Sequence, residues 1–298
     1  MADGLKPTLT ELTALRRVAQ RRAPARKGSH NLTGPSASSL RGRGMEYAES
    51  REYVAGDDVR HIDWRLTARS GRTHTKLFQA ERERLTLLVA DTSPALYFGT
   101  RVRFKSVQAA RAGAVAVWSA IRDGDRIAII RGSTEEAPVP PASGPRGALR
   151  VLDALVRWYA QPPRDDAGLA AALDNAGRLL RPGSRLIVLA DPSSIAAVPE
   201  TRWPALAAHH EVMVLLLTDA LEREPPEDVL PFVIGDRRVE LDLSVAAQRQ
   251  RWRDEFVRPL ESALEKLPQR GVRTYSLAND APSESWLPLL GRAQPQVA

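Results

Sequence analysis

The chain has 298 residues, 43% of them hydrophobic and 27% charged, as expected of a globular protein with one large or two ordinary domains. It contains no cysteine, which excludes disulfides, thiolate-ligated zinc and a cysteine nucleophile. No apolar run approaches the ~18 residues of a membrane span, and the first 20 residues, with Asp3 and Glu11, do not read as a secretory signal; a cytoplasmic location is the expectation.

The formal charge of +7 is unevenly placed: residues 1–84 hold 17 basic and 10 acidic side chains, and the remainder is balanced at 26 of each. Such an excess suits a nucleic acid, an anionic membrane surface or an acidic partner, and equally a solvated basic face. Within this zone Leu9, Leu12, Leu15 and Val18 recur at near-helical spacing after Pro7 and Thr8, which predicts an amphipathic helix packed on its own protein. Ala23–Gly44, rich in Gly, Ser and Arg, reads as a mobile linker. The expected organisation is a basic segment over 1–44, a charged segment over 45–84 and an α/β domain over 85–298.

From Leu85 the rhythm changes. Leu85–Ala90 is a continuous apolar run ending in Asp91, the pattern of a central parallel strand covered on both faces. Helical spacing over Lys105–Ile121 follows, then a turn at Asp123–Asp125 and a strand over Arg126–Ile130. Gly132–Pro145 holds an edge hairpin or only a loop. Helices are predicted over 148–159 and 169–180, strands over Arg185–Ala190 and Val212–Thr218, a long helix over Gln248–Leu267, a last strand over Val272–Leu277 and a short helix near Ser283–Leu290. Alternating strands and helices give a Rossmann-like, open, mostly parallel sheet with helices on both faces. Such sheets bind ligands beyond the carboxyl ends of their strands, where strand order reverses. Three predicted strands end in a carboxylate, at Asp91, Asp191 and Asp219, which points to a shared crevice there.

The phosphate-binding, dinucleotide-binding, nucleophile-elbow, zincin and EF-hand motifs are all absent. The densest chemistry lies between Arg51 and Asp91. His61 and Asp63, two apart, would share a face on a strand, and with Asp57 or Asp58 they would suit a divalent metal in a phosphodiesterase or nuclease, with Lys76 on a phosphate. The competing reading is ionic and structural: Gly56-Asp57 turns the chain, the carboxylates pair with Arg51, Arg60, Arg65 and Arg69, and Tyr53 packs with Trp64. Ion-pair networks are common and catalytic constellations rare, so the structural reading leads. The basic stretch Arg16–Arg43 lacks aromatics for base stacking, so any nucleic-acid binding would be non-specific and salt-sensitive, and nucleic acid is not the expected partner.

The run Arg51-x-Tyr53-x-x-Gly56-Asp57-Asp58-x-Arg60-x-Ile62-Asp63-Trp64 with Arg69, then Lys76, Phe78, Glu81 and Arg82, then an apolar strand ending Asp91-x-Ser93, resembles the signature of domain of unknown function 58 (DUF58). Weaker resemblance extends over about residues 40–280, with Asp219 to Glu222 similar to the family's D-P-x-E segment and Ala220 where proline is usual. The resemblance implies a von Willebrand A-like fold and a metal-ion-dependent adhesion site, in which carboxylate and hydroxyl oxygens hold Mg²⁺ and leave a position for a partner's carboxylate. Asp91, Ser93 and Asp191 match that site. Ala95 stands where its second serine belongs and Leu169 follows Gly168 where a threonine is expected, so the implied site is degenerate, with Mg²⁺ as its candidate cofactor. The resemblance further implies a non-catalytic protein-interaction module acting with a MoxR-type AAA+ ATPase in assembly or chaperone-like work, with the signature residues as partner-binding candidates.

Overall fold

The computed structural model describes residues 4–20, 45–80, 84–234 and 237–290. The basic stretch between Arg21 and Gly44 and the signature residue Glu81 lie outside the described residues. The chain forms two compact units, one combining the N-terminal helices with everything from Arg84 onward and the other lying within Asn31–Glu83.

In the larger unit, α1 (Leu9–Ala14) and α2 (Arg16–Gln20) replace the single predicted helix. Thr8 caps α1 by accepting from the Glu11 N–H. Leu12, Leu15 and Ala19 are buried in the same apolar cluster as the helices that follow, so this stripe packs on its own protein. Leu9, three residues earlier in the stripe, is exposed, because a strict three-residue repeat drifts off a 3.6-residue helix.

The smaller unit pairs β1 (Met45–Glu52) antiparallel with β2 (His74–Ala80). Between them lie a 3₁₀ turn at Val59–His61 and α3 (Trp64–Ser70). His61 and Asp63 therefore do not share the strand face that the alternative metal-site reading required. His61 closes the 3₁₀ turn, and Asp63 caps α3 by accepting from the Leu66 N–H at 3.1 Å.

The larger unit continues with β3 (Leu85–Ala90), α4 (Lys105–Arg122), β4 (Arg126–Arg131), β5 (Val139–Ala142), α5 (Gly144–Tyr159) and α6 (Gly168–Leu179). Then come β6 (Arg185–Ala190), α7 (Pro192–Ala196), α8 (Arg202–Ala207), β7 (Glu211–Thr218), α9 (Ala220–Arg223), β8 (Val229–Ile234), β9 (Arg237–Asp242), α10 (Ala246–Trp252), α11 (Arg258–Gln269) and β10 (Arg273–Ala278). The six-stranded sheet has the order β10-β7-β6-β3-β4-β5. All pairs are parallel except β4–β5. Alternate residues of each central strand enter opposite layers: Leu88 and Ala90 pack with α1, α4 and α5, and Leu87 and Val89 with α6, α8 and α11. Burial on both faces is why these strands read as unbroken apolar runs.

The predicted long helix over 248–267 is interrupted by a π-turn at Arg253–Val257 between α10 and α11. Pro259, at the start of α11, has no N–H to give the carbonyl four residues back, so the ladder opens at that turn. Gly132 sits where a Cβ would overlap the carbonyl oxygen of Gly168. This close approach sets the loop before α6 beside β4, with the Ala167 N–H donating to the Gly132 oxygen at 3.0 Å.

Candidate binding site at the switch point of the sheet

Strand order reverses between β3 and β6: β3 is followed by β4 on one side, and the chain then crosses to place β6 on the other. Asp91 leaves β3 and Asp191 leaves β6 at this point, and the structure brings them together. The Asp191 N–H donates to Asp91 Oδ2 at 2.9 Å, and the Asp91 N–H donates to the Leu189 carbonyl at 2.9 Å. The Ser93 N–H donates to Asp91 Oδ1 at 2.9 Å, and the Ser93 hydroxyl donates to Oδ2 at 3.3 Å. Asp91 is fully enclosed, and that burial pushes its carboxyl above the ordinary range despite these donors.

Asp191 is used up in the same way. Its Oδ1 caps α7, accepting from the Ser193 N–H at 2.9 Å and the Ser193 hydroxyl at 2.6 Å. Its Oδ2 accepts from Lys105 Nζ at 2.6 Å. The same ammonium donates to Glu222 Oε1 at 2.5 Å. Lys105 is 1% exposed. Burial alone would lower the lysine, but Asp191 and Glu222 outweigh it and hold it above its ordinary value. One ammonium shared by two carboxylates does not offset the burial of both, and the Glu222 carboxyl is pushed up.

Asp219, at the end of β7, is the third carboxylate of the crevice and is held by a different set of donors. Oδ1 accepts from the Thr100 hydroxyl at 2.7 Å and the Leu221 N–H at 2.8 Å, and Oδ2 from the Thr100 N–H at 2.9 Å and the Asn279 amide at 2.5 Å. Burial raises this carboxyl, but the Thr100 donors and their neighbours outweigh it and lower it. Glu222 Oε2 accepts from the Asp219 N–H at 3.2 Å. The D-x-x-E spacing at 219–222 is thus a capping box that starts α9.

A divalent cation needs free oxygen lone pairs in a roughly octahedral shell. Here Asp91 and Asp191 already accept from backbone and hydroxyl donors, Lys105 sits on Asp191, and Ala95 offers no oxygen. The crevice lined by Ala95, Asp191, Ser193 and Glu222 holds about 60 Å³, room for a water or two. These residues do not fit Mg²⁺: the charge a cation would supply comes from Lys105. Among the described residues no group of three or more His, Cys, Asp or Glu side chains could hold a metal.

The signature residues fall mostly into caps and ion pairs of the smaller unit. Asp57 Oδ2 accepts from the Val54 N–H at 3.0 Å and Oδ1 from Arg51 at 2.7 Å, which together hold its carboxyl down. Gly56 takes φ 109° in this turn, backbone that suits glycine. Asp58 caps the 3₁₀ turn and pairs with Arg60 at 2.8 Å, and that guanidinium holds it at about 2. Asp63 Oδ2 accepts from the Ser50 hydroxyl at 3.1 Å. Ile62 pairs with Thr75 as an antiparallel bridge, Lys76 lies opposite Ser50 on β2, and Arg69 lies in the last turn of α3. Two expectations fail. Trp64 is 70% exposed and forms no ring contact with Tyr53, whose hydroxyl instead reaches the Asp57 carbonyl at 3.4 Å. Asp57, Asp58, His61 and Asp63 do not converge, because the three aspartates serve three separate turns.

Lys105, Thr100 and Asn279 were not singled out from the sequence. Lys105 carries one signal: it opens an 18-residue helix, and a cation at a helix N-terminus opposes the helix dipole. Such a lysine needs a carboxylate partner to explain it.

Residues 49–265 match the family described as protein of unknown function DUF58. Uncharacterized proteins of Mycobacterium bovis and Mycobacterium tuberculosis are 31% identical over 210 residues, 69% of this chain. The match spans 64% of the length of these relatives. Among solved structures, a conserved hypothetical protein BatB from Bacteroides thetaiotaomicron is similar at 14% identity and a TM-score of 0.43, over 70% of this chain and 95% of that one. An aerotolerance-related membrane protein from Bacteroides fragilis is similar at 15% identity and a TM-score of 0.41, over 70% and 96%.

Proposed function

This chain belongs to the DUF58 family, and on that footing we propose that it is a non-catalytic protein-interaction module that meets its partner with the rim of the switch-point crevice, without a metal. The proposed partner is a MoxR-type AAA+ ATPase, and the proposed setting is assembly or chaperone-like work in the cytoplasm. One observation carries this reading: the carboxylates at the switch point are committed to internal donors and to Lys105, and the crevice has no room for a substrate. What the site offers outward is a rim of Pro94, Ala95 and Ser193, all exposed. The Ser194 hydroxyl links the two loops through Ser93 at 3.1 Å. Cross-links of this kind make a rigid docking edge, and rigidity lowers the entropic cost of association. Among the described residues no helix is long and apolar enough to cross a membrane.

The test is capture of a purified MoxR-type AAA+ ATPase. Ser193→Arg places a bulky cation on the rim and is expected to weaken capture by about tenfold or more, the effect of losing roughly 1.4 kcal/mol. Ala95→Arg, at an exposed side chain that makes no hydrogen bond, should leave thermal unfolding unchanged, whereas Ser193→Arg also gives up the hydroxyl's bond to Asp191. Capture unaffected by both Ser193→Arg and Ala95→Arg would sink the proposal.

A further inference from the structure

Next to the crevice, and meeting it at Ala95 and Glu222, the larger unit holds an apolar cleft of about 990 Å³. One wall is the β8–β9 hairpin, where Leu230 pairs with Leu241 and Phe232 with Val239 on the face turned to the cleft. The opposite wall is the helix running through the π-turn. Gln248, Arg251, Trp252 and Glu255 follow one another at helical spacing and all line the cleft. Trp252 stacks between Phe232 and Phe256 at centroid distances of 5.8 and 4.5 Å. Its indole N–H donates to the Glu222 carbonyl at 3.0 Å, so the aromatic ladder is fixed in place.

The polar groups of the helix wall are unused. Gln248 Oε1 is buried and has no hydrogen-bond partner. Arg251 and Glu255 have no ion-pair or side-chain hydrogen-bond partner among the described residues. A buried acceptor without a donor costs free energy that an occupant would recover. From Gln248 to Glu255 the wall presents an acceptor, a donor and an acceptor over about 10 Å of helix. A fatty acid or other amphiphile has one polar head and cannot serve all three. A peptide main chain carries one donor and one acceptor at nearly every residue, and its alternate side chains point to opposite faces.

We propose that this cleft binds an extended, apolar segment of a partner protein. The segment's main chain lies along Gln248, Arg251 and Glu255, and its alternate apolar side chains enter the wall formed by Phe232, Val239 and Leu241. The inference goes beyond the rim reading: Ala95 borders both sites, but Ser193 does not line the cleft, so Ser193→Arg tells the two apart.

The test uses the full chain and a fluorescein-labelled octapeptide of alternating Leu and Thr, capped at both ends, followed by anisotropy. Saturable binding is expected. Gln248→Leu and Arg251→Ala should each weaken it by about tenfold, the effect of one lost hydrogen bond to a committed group. N-methylation of alternate amides of the peptide should weaken it by at least as much. Gln248→Leu should also leave the thermal midpoint unchanged or raised, since it removes an unpartnered acceptor, so weaker binding cannot be ascribed to unfolding. Phe232→Glu should abolish binding. Three results would overturn the inference: absence of saturable binding, equal affinity for the N-methylated peptide, or displacement of the peptide by dodecanoate at comparable concentration.

Discussion

Lys105→Met is expected to destabilise the larger unit by about 3–5 kcal/mol, measured by urea unfolding at neutral pH. The ammonium is enclosed and holds Asp191 and Glu222 at 2.6 and 2.5 Å. Removing it leaves two buried carboxylates without a counter-charge, and that uncompensated burial outweighs the gain from an apolar side chain of similar length. Adding Glu222→Gln should recover part of the loss, because only one carboxylate then stays unpaired. In the wild type the raised Lys105 value places its contribution fully below the ordinary lysine range, to be lost only as pH rises through the folded value. In Lys105→Met the sign reverses. Burial pushes the Glu222 carboxyl up, so without the ammonium stability is lost as pH rises through its range, and the variant should approach the wild type as the solution is acidified. A loss below about 1 kcal/mol, the scale of a surface pair, would show that Lys105 is not the internal cation described here.

Glu211→Gln is expected to have the second largest effect, at the opposite end of the sheet. Glu211 opens β7 and accepts from Arg185 at 3.0 Å, Arg273 at 2.8 Å and Arg84 at 3.2 Å. Arg185 is 2% exposed. Burial pushes the Glu211 carboxyl up, but Arg185 and Arg273 outweigh it and hold it below the ordinary range. A neutral amide would leave three guanidiniums facing one another, of which Arg84 keeps Asp125 at 3.0 Å and Arg185 keeps only the longer contacts to Asp125 and Asp123 at 3.9 and 4.0 Å. The expected cost is about 3 kcal/mol. Because the folded value is depressed, this stabilisation is present above the ordinary carboxylate range and is lost as pH falls through the folded value. The urea midpoint of the wild type should therefore fall on acidification more steeply than that of Glu211→Gln. Parallel profiles would contradict the assignment.

The central strands were legible because each is buried on both faces and ends in an aspartate. Leu85–Ala90 and Arg185–Ala190 are read to the residue. The β8–β9 hairpin was not. Pro231 interrupts its first strand, and Arg237, Arg238 and Glu240 leave the second without apolar alternation, so neither period stands out. Of the site, the three strand-end aspartates were legible, and the switch point joins two of them. The contact between Asp91 and Asp191 spans 100 residues of sequence and follows from strand order, which no local pattern encodes. Lys105 was hidden for the same reason: its partners lie 86 and 117 residues away. The pairing expected of Tyr53 and Trp64 failed because residue type predicts packing only where the backbone turns both side chains inward.

The central claim is that Lys105 supplies the positive charge at the switch point, in the place a metal ion would take. Calorimetric titration of the purified chain with Mg²⁺ and Mn²⁺, alongside Asp91→Ala, tests it most directly. The account predicts no saturable heat in either protein. Saturable binding to the wild type that disappears in Asp91→Ala would contradict it, and would mean that the carboxylates of β3 and β6 hold a cation in addition to Lys105.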